Sequence, residues 1–204
     1  MAITTLSEYK SFAGISGTGD DTALTTMVSV AQKLAEKYCN RLFDSSARTQ
    51  TYNGLGSRQL QVNAFPITAV SSIALTDAAG DTYWTLTTDD YKIDADAGII
   101  TITPKNGPVE CGEDGVWNGA GAFVDDVQNV SITYTGGHST APDDLKWAVW
   151  MIVSWLFANR RADSSVAGES IGHYSVTFDT AMGKGGGALG PVAYVLNGYK
   201  LGQA

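Results

Sequence analysis

Few residues of this chain have the type and spacing for chemistry. Its 204 residues include two histidines and two cysteines. His138 follows Gly136-Gly137 in a turn, and His173 begins an alternating apolar segment. No Ser/His/Asp order, nucleophile elbow or HExxH motif surrounds them. Asp94-Ala95-Asp96-Ala97-Gly98 begins like a calcium loop but lacks its third acid and distal Glu, so a turn between strands is expected. The pairs Asp89-Asp90 and Asp125-Asp126 would point apart on a strand and read as solvated edges, not as an acid–base pair. Gly183-Lys184-Gly185-Gly186-Gly187 lacks the Walker spacing of a phosphate loop. Cys39 and Cys111 match neither a metal site nor a disulfide framework, and Cys39 reads as a small buried hydrophobe. We therefore expect no catalytic residue, no metal and no cofactor. Trp147 and Trp150 could stack a ligand, but at helical spacing they read as core or interface aromatics.

The element that positions those tryptophans is a helix from Pro142 to Arg160. At 100° per residue, Leu145, Ala148, Val149, Ile152 and Leu156 share one face. Trp147, Trp150, Met151 and Phe157 fall opposite, where a surface helix would carry charge. A helix apolar all round is expected to be buried all round. Its apolar run, Trp147 to Phe157 interrupted by Ser154, is too short to span a bilayer. Another copy of the chain is the expected cover for the second face, which makes Trp147, Trp150 and Met151 the candidate subunit contact.

The remaining sequence is globular in composition, 44% apolar and 17% charged, and suits one domain with a large insertion. A net charge of −8 and a pI near 4.6, with no Lys/Arg cluster, exclude tight phosphate binding as the main task. The first ten residues lack the basic and apolar regions of a signal peptide, so a cytoplasmic origin is expected. Thr5 to Glu8 has capping-box form and predicts a short helix ending near Gly14. Asp20 or Asp21 should cap a second helix to about Leu42. Its apolar positions Leu24, Met27, Val28, Ala31, Leu34, Ala35, Tyr38 and Leu42 form a single stripe.

From Ala47 to Thr135 the period changes to two. Strands are predicted at 49–52, 59–62, 70–75, 82–86, 99–102 and 130–134, with Lys105 to Asp126 as a surface loop. Thr140 should cap the tryptophan helix, with Pro142 in its first turn. Asp163 to Gly190 holds seven glycines in 28 residues and cannot build a core. Within it Tyr174, Val176 and Phe178 alternate along a strand with no partner nearby in sequence, and Pro191 opens a last short helix. The fold class read from this is α+β. A small helical bundle (1–44 and 139–162) carries an inserted antiparallel β-module (45–138) and an extended C-terminal arm with a terminal short helix (163–204).

Six segments in this order resemble the head–tail connector (adaptor) proteins of tailed bacteriophages and phage-like gene-transfer particles. They are Leu6-Ser7-Glu8-Tyr9-Lys10; Asp20 to Leu24 leading into Ala31 to Arg41; Phe65-Pro66-Ile67 before Val70-Ser71-Ser72-Ile73; Gly98-Ile99-Ile100; Val130 to Gly137; and Pro142 to Val149 running into Asn159-Arg160. The resemblance covers about residues 4 to 162. It implies a structural protein, not an enzyme, assembled as a ring of twelve copies under the portal protein, in the neck of a virion built in the host cytoplasm. The ring would leave a channel through which DNA passes unbound, and would dock stopper or tail-completion proteins. It makes the portal the preferred acceptor of the arm, with Tyr174, Val176 and Phe178 as the inward side chains and Pro191 to Tyr199 docking beside them. At about 3.3–3.6 Å per residue, the 28 residues of a free arm reach at most roughly 90–100 Å. The rival reading is a β-rich virion decoration or receptor-binding module.

Overall fold

The computed structural model describes residues 3–77, 79–103, 110–111, 117–118, 122–160, 168–171, 174–177 and 187–201. The chain divides into two compact units. One is Leu42–Ser139; the other joins Ala2–Arg41 to Thr140–Ala204.

The β unit is built on two antiparallel sheets. The larger has the order β1 (Ser46–Gly54), β9 (Asp126–Gly136), β3 (Ile67–Thr76), β4 (Thr82–Leu86); the smaller has β2 (Gln59–Gln61), β6 (Ile99–Ile102), β5 (Tyr91–Asp94). Two-residue strands β7 (Glu110–Cys111) and β8 (Trp117–Asn118) pair with each other. Alternation sends Ile73, Leu75, Val130, Ile132 and Tyr134 inward from the large sheet, to meet Leu60, Val62, Ile100 and Ile102 in one buried core. The opposite face of the large sheet is made of small uncharged residues in cross-strand rows: Ala47–Thr135–Ala69 and Thr49–Thr133–Ser72. Where the chain leaves β9, Gly137 has φ +109, and a Cβ there would lie 2.3 Å from the Asp44 carbonyl oxygen, so only glycine fits. Asp94 ends β5 and its carboxylate accepts the Ala97 N–H at 3.2 Å, so the calcium-like pentad forms a turn between β5 and β6.

In the helical unit, α1 (Leu6–Ala13) begins with the expected capping box. Thr5 Oγ1 accepts from Glu8 N–H, and the Glu8 carboxylate accepts from Thr5 N–H at 2.7 Å. That backbone donor holds the Glu8 carboxyl below its ordinary range. Helix α2 (Asp21–Cys39) stops short of Leu42 because Asn40 adopts the left-handed conformation at φ 50, a C-cap that Asn tolerates. Asp20 is the N-cap residue, though its side chain makes no capping bond. Helix α3 (Asp143–Ala158) starts at Pro142, not Thr140. Pro142 has extended ψ 146, and Asp143 and Asp144 occupy the first turn.

The C-terminal stretch departs from the expected arm. A 3-10 turn (Gly187–Val192) runs into α4 (Ala193–Asn197), and both pack on α3 of the same chain. Val192 and Leu196 are fully buried there. Tyr38 Oη donates to Asn197 Oδ1 at 2.7 Å, Tyr199 Oη donates to Asp144 Oδ1 at 2.6 Å, and Leu201 N–H donates to the Cys39 carbonyl at 2.9 Å. Val192 at the end of the 3-10 turn and Leu196 in α4 bury this stretch against its own unit, so the helix is anchored at home. The alternating strand is not alone either. Tyr174–Thr177 (β11) pairs antiparallel with Gly168–Ile171 (β10), from Gly168↔Thr177 to Ile171↔Tyr174. Gly168-Glu169-Ser170-Ile171 has no apolar alternation of its own, so this partner leaves no signal in the sequence.

Candidate subunit interface on the helical unit

Helices α2 and α3 run antiparallel. Arg160 Nη2 reaches Asp20 Oδ1 (3.4 Å) at one end of the pair, while Tyr199 and Leu201 bridge to Asp144 and Cys39 at the other. Their contact faces carry Leu24, Val28, Ala31, Ala35 and Cys39 from α2, and Leu145, Ala148, Val149, Ile152 and Val153 from α3, all buried. Cys39 gives its thiol to the Leu196 carbonyl at 3.4 Å, and burial pushes that thiol up to about 11, so it stays protonated and unreactive.

One flank of this pair is closed by the N-terminal segment. Thr4 bridges it: its carbonyl accepts from Gln32 Nε2 of α2, and its hydroxyl accepts from Trp150 Nε1 of α3, both at 2.8 Å. Phe12 stacks on Trp150 with centroids 4.9 Å apart and planes at 24°. Tyr9 Oη meets Ser154 Oγ at 3.3 Å, and Lys146 Nζ meets Glu8 at 3.3 Å. Trp150, grouped by sequence with Trp147 and Met151, is half-buried and makes its hydrogen bond and its ring stack within its own unit, with Thr4 and Phe12.

The other flank differs. In antiparallel helices, positions turned in the same rotational sense from the contact face lie on the same side of the pair. That side receives Ala23, Met27, Val30 and Leu34 from α2, and Trp147, Met151 and Trp155 from α3, each set within about 80° of arc. None of these carries charge; Lys37 and Asp144 bring charge to the flank only at its one end, by the C-terminus of α2 and the N-terminus of α3. Val30 is 44% and Trp147 39% exposed, and the others are half-buried. The helix that its composition said must be buried all round therefore leaves apolar surface uncovered in the single chain. The single stripe expected on α2 divides in two: Leu24, Val28, Ala31 and Ala35 are buried, while Met27 and Leu34 join Ala23 and Val30 on this flank. A second 4-3-4 rhythm through Ala23, Met27, Val30 and Leu34 was the available signal.

Tyr174 and Val176 lie in the β11 backbone, while their side chains, together with Phe178 and His173, fall outside the described residues. The arrangement brings Trp147 and Met151 together and separates Trp150 from them. Among the described residues no three His, Cys, Asp or Glu side chains are grouped to hold a metal, and no helix is long and apolar enough to cross a membrane. His138 uses its backbone N–H on the Phe43 carbonyl at 2.8 Å, joining the two strands of chain that enter and leave the β unit.

Residues 2–180 match the family model described as head completion protein. No curated protein matches the sequence. The fold is similar to a chain in the neck of an empty gene transfer agent (GTA) particle computed with C6 symmetry, with a TM-score of 0.61, 14% identity, and coverage of 99% of this chain and 91% of that one. It is also similar to chains in the virion of a native gene transfer agent particle (TM-score 0.59, 15% identity, 99% and 91% coverage) and in the neck of a native GTA particle computed with C12 symmetry (0.57, 15%, 98% and 89%).

Proposed function

The chain belongs to the head completion protein family, and from that premise we propose that it is a structural head–tail adaptor. Copies form a ring under the portal of a tailed phage or phage-like particle, twelve by analogy with the C12 neck of the GTA particle. The ring leaves a passage for DNA and gives stopper or tail-completion proteins a platform. The observation that carries this reading is the apolar two-helix surface centred on Trp147 and Met151. An apolar patch left open on a subunit marks an interface, and joining it to a different patch on the next copy is the heterologous contact from which closed rings are made.

The charge distribution supports the passage of DNA without binding. Leu42–Ser139 contains twelve acidic and four basic residues, a net of −8, whereas the rest of the chain has nine of each. A unit of that sign repels phosphates. The stretch carrying β10 and β11 is the segment suited to reach another protein. Arg160 and Gly187 hold it at both ends, so its 26 residues must go out and return, and their span is at most about 45 Å. That is half the reach expected of a free arm.

Native mass measurement of the purified chain, alone and with a portal ring, tests the proposal. A high-order cyclic species, lost on Trp147→Asp with folding retained, is the expected result. A wild-type chain that stays monomeric and ignores the portal supports instead a decoration module working through its β unit.

A further inference from the structure

Natural sheets protect their edges with short strands, bulges, prolines or outward lysines. The large sheet has two edges, and they differ. At β4 the register slips between Leu75↔Trp84 and Thr76↔Thr82, leaving Tyr83 as an extra, bulged residue in a strand of five. At β1 the pairing with β9 is unbroken from Ser46 to Tyr52, in a strand of nine residues without Pro or Lys. The one charged side chain in β1, Arg48, folds back along its own strand. Its guanidinium donates to the Asp44 carbonyl at 2.7 Å and to Ser46 Oγ, and pairs with the Asp44 carboxylate at 3.3 Å. Among the described residues nothing pairs with the outer side of β1. An edge of that length and regularity is a ready template for another strand.

The same chain holds a matching donor. β10 and β11 form a sheet of only two strands, and an isolated hairpin is marginal in water until a third strand joins it. β11 reads Tyr-Ser-Val-Thr and β10 Gly-Glu-Ser-Ile, so a single acid is all the charge it brings to a strand, β1, that carries no acid. In the single chain the hairpin and β1 belong to separate sheets. We infer that the open edge of β1 accepts the β10–β11 hairpin of a second copy of this chain, extending the four-stranded sheet across the subunit boundary. Main-chain bonds then supply the affinity and the alternate side chains of β11 the register. This rests on the ring reading, since it needs a neighbour within about 45 Å of the donor's tether.

Amide hydrogen exchange on the chain alone, as free subunit and as assembled ring, tests it. Residues 46–54 and 174–177 are both expected to exchange at least about tenfold more slowly in the ring. Val176→Pro, which removes an N–H from β11, should return 46–54 to free-subunit rates while α2 and α3 keep theirs. An intact ring whose 46–54 amides exchange as in the free subunit overturns the inference and leaves the ring reading standing. Protection of 46–54 already in the monomer assigns the edge to the chain's own hairpin, and protection only with portal present assigns it to the portal; both overturn it. A chain that forms no ring defeats this contact and the ring reading together.

Discussion

The two units each bury an apolar core but carry charge in opposite ways. The β unit closes its core: Ile73, Leu75, Ile100, Ile102, Val130, Ile132 and Tyr134 are at most 1% exposed, and the sheet's other face is hydroxyls and alanines. It holds the chain's entire net charge. The helical unit is electrically neutral. Both units leave large apolar side chains exposed, Leu55, Tyr83, Trp84, Ile93 and Val127 in the β unit and Phe12, Val30, Trp147 and Tyr194 in the helical one, so charge and not exposure separates them. An acidic unit disfavours phosphate, and a neutral apolar flank suits a contact with another protein. A uniform protein of this composition would spread its charge, so that segregation is the informative fact.

The largest effects should come from within each core. Ile132→Ala and Ile152→Ala each remove a fully buried side chain and should lower the stability of their own unit by about 2–5 kcal/mol. Hydrogen exchange resolved by segment would show the loss confined to residues 42–139 in the first variant and to the helices in the second. Equal loss in both units from either change would mean that the division is one of contacts only and not of folding.

Next in size is the contrast between two tryptophans three residues apart. Trp150→Ala strips the stack with Phe12 and leaves Thr4 Oγ1 without its donor, which should cost the monomer about 2 kcal/mol or more. Trp147→Ala should shift monomer stability by no more than about 0.5 kcal/mol while weakening assembly by about 2 kcal/mol, on the order of thirtyfold. Thermal melts and native mass spectra of the two variants check this. If Trp147→Ala melts early and assembles normally, the exposed flank has no partner.

That contrast also marks where the sequence was legible. The capping box, the 3.6-residue stripe of α2 and the alternation of the strands are local patterns, and each has one physical solution. Trp147 and Trp150 differ only in what lies over them, and nothing near them in sequence says that Thr4 and Phe12 do. Asn40 is the kind of residue that accepts a left-handed C-cap, and it ends α2 before the apolar pattern does at Leu42. Strand β5, Tyr-Lys-Ile-Asp, is too short and too exposed to announce itself. It forms because β6 presents an edge to it. The anchoring of α4 was equally out of reach, because a five-residue helix says nothing of its dock until α2 and α3 have formed one.

A smaller effect sharpens the comparison through pH. Tyr52 and Tyr134 face each other with hydroxyls 3.1 Å apart, sharing Gln50 Oε1 and Asn63 Oδ1 as acceptors. Burial holds both phenols above their ordinary range. The fold therefore keeps the proton where the unfolded chain would lose it. Below about pH 10 the unfolded phenols are still protonated and these tyrosines give stability no slope; above it the unfolded state ionises first and the β unit weakens as pH rises. Tyr134→Phe should cost about 1 kcal/mol at neutral pH and flatten the alkaline slope. An unchanged slope would show that the pair is not what titrates.

The smallest effect tests whether segregating charge has an energetic consequence. Four acids, Asp77, Asp81, Asp125 and Asp126, sit at the end of the large sheet away from Leu42 and Ser139, because β3 turns into β4 there and β9 begins there. Like charges so placed repel in the folded unit more than in the open chain. Raising salt from about 0.01 M to about 0.15 M shortens the screening length from about 30 Å to about 8 Å. The β unit should gain up to about 1 kcal/mol across that range, read from its slowest amides, while the neutral helical unit stays nearly flat. The same titration with duplex DNA present should show no binding at the low-salt end, where attraction to phosphate would be strongest. If both units respond alike to salt, or the chain captures DNA in dilute buffer, the acidic unit does not act as a repelling wall and its charge has to be explained by a basic partner instead.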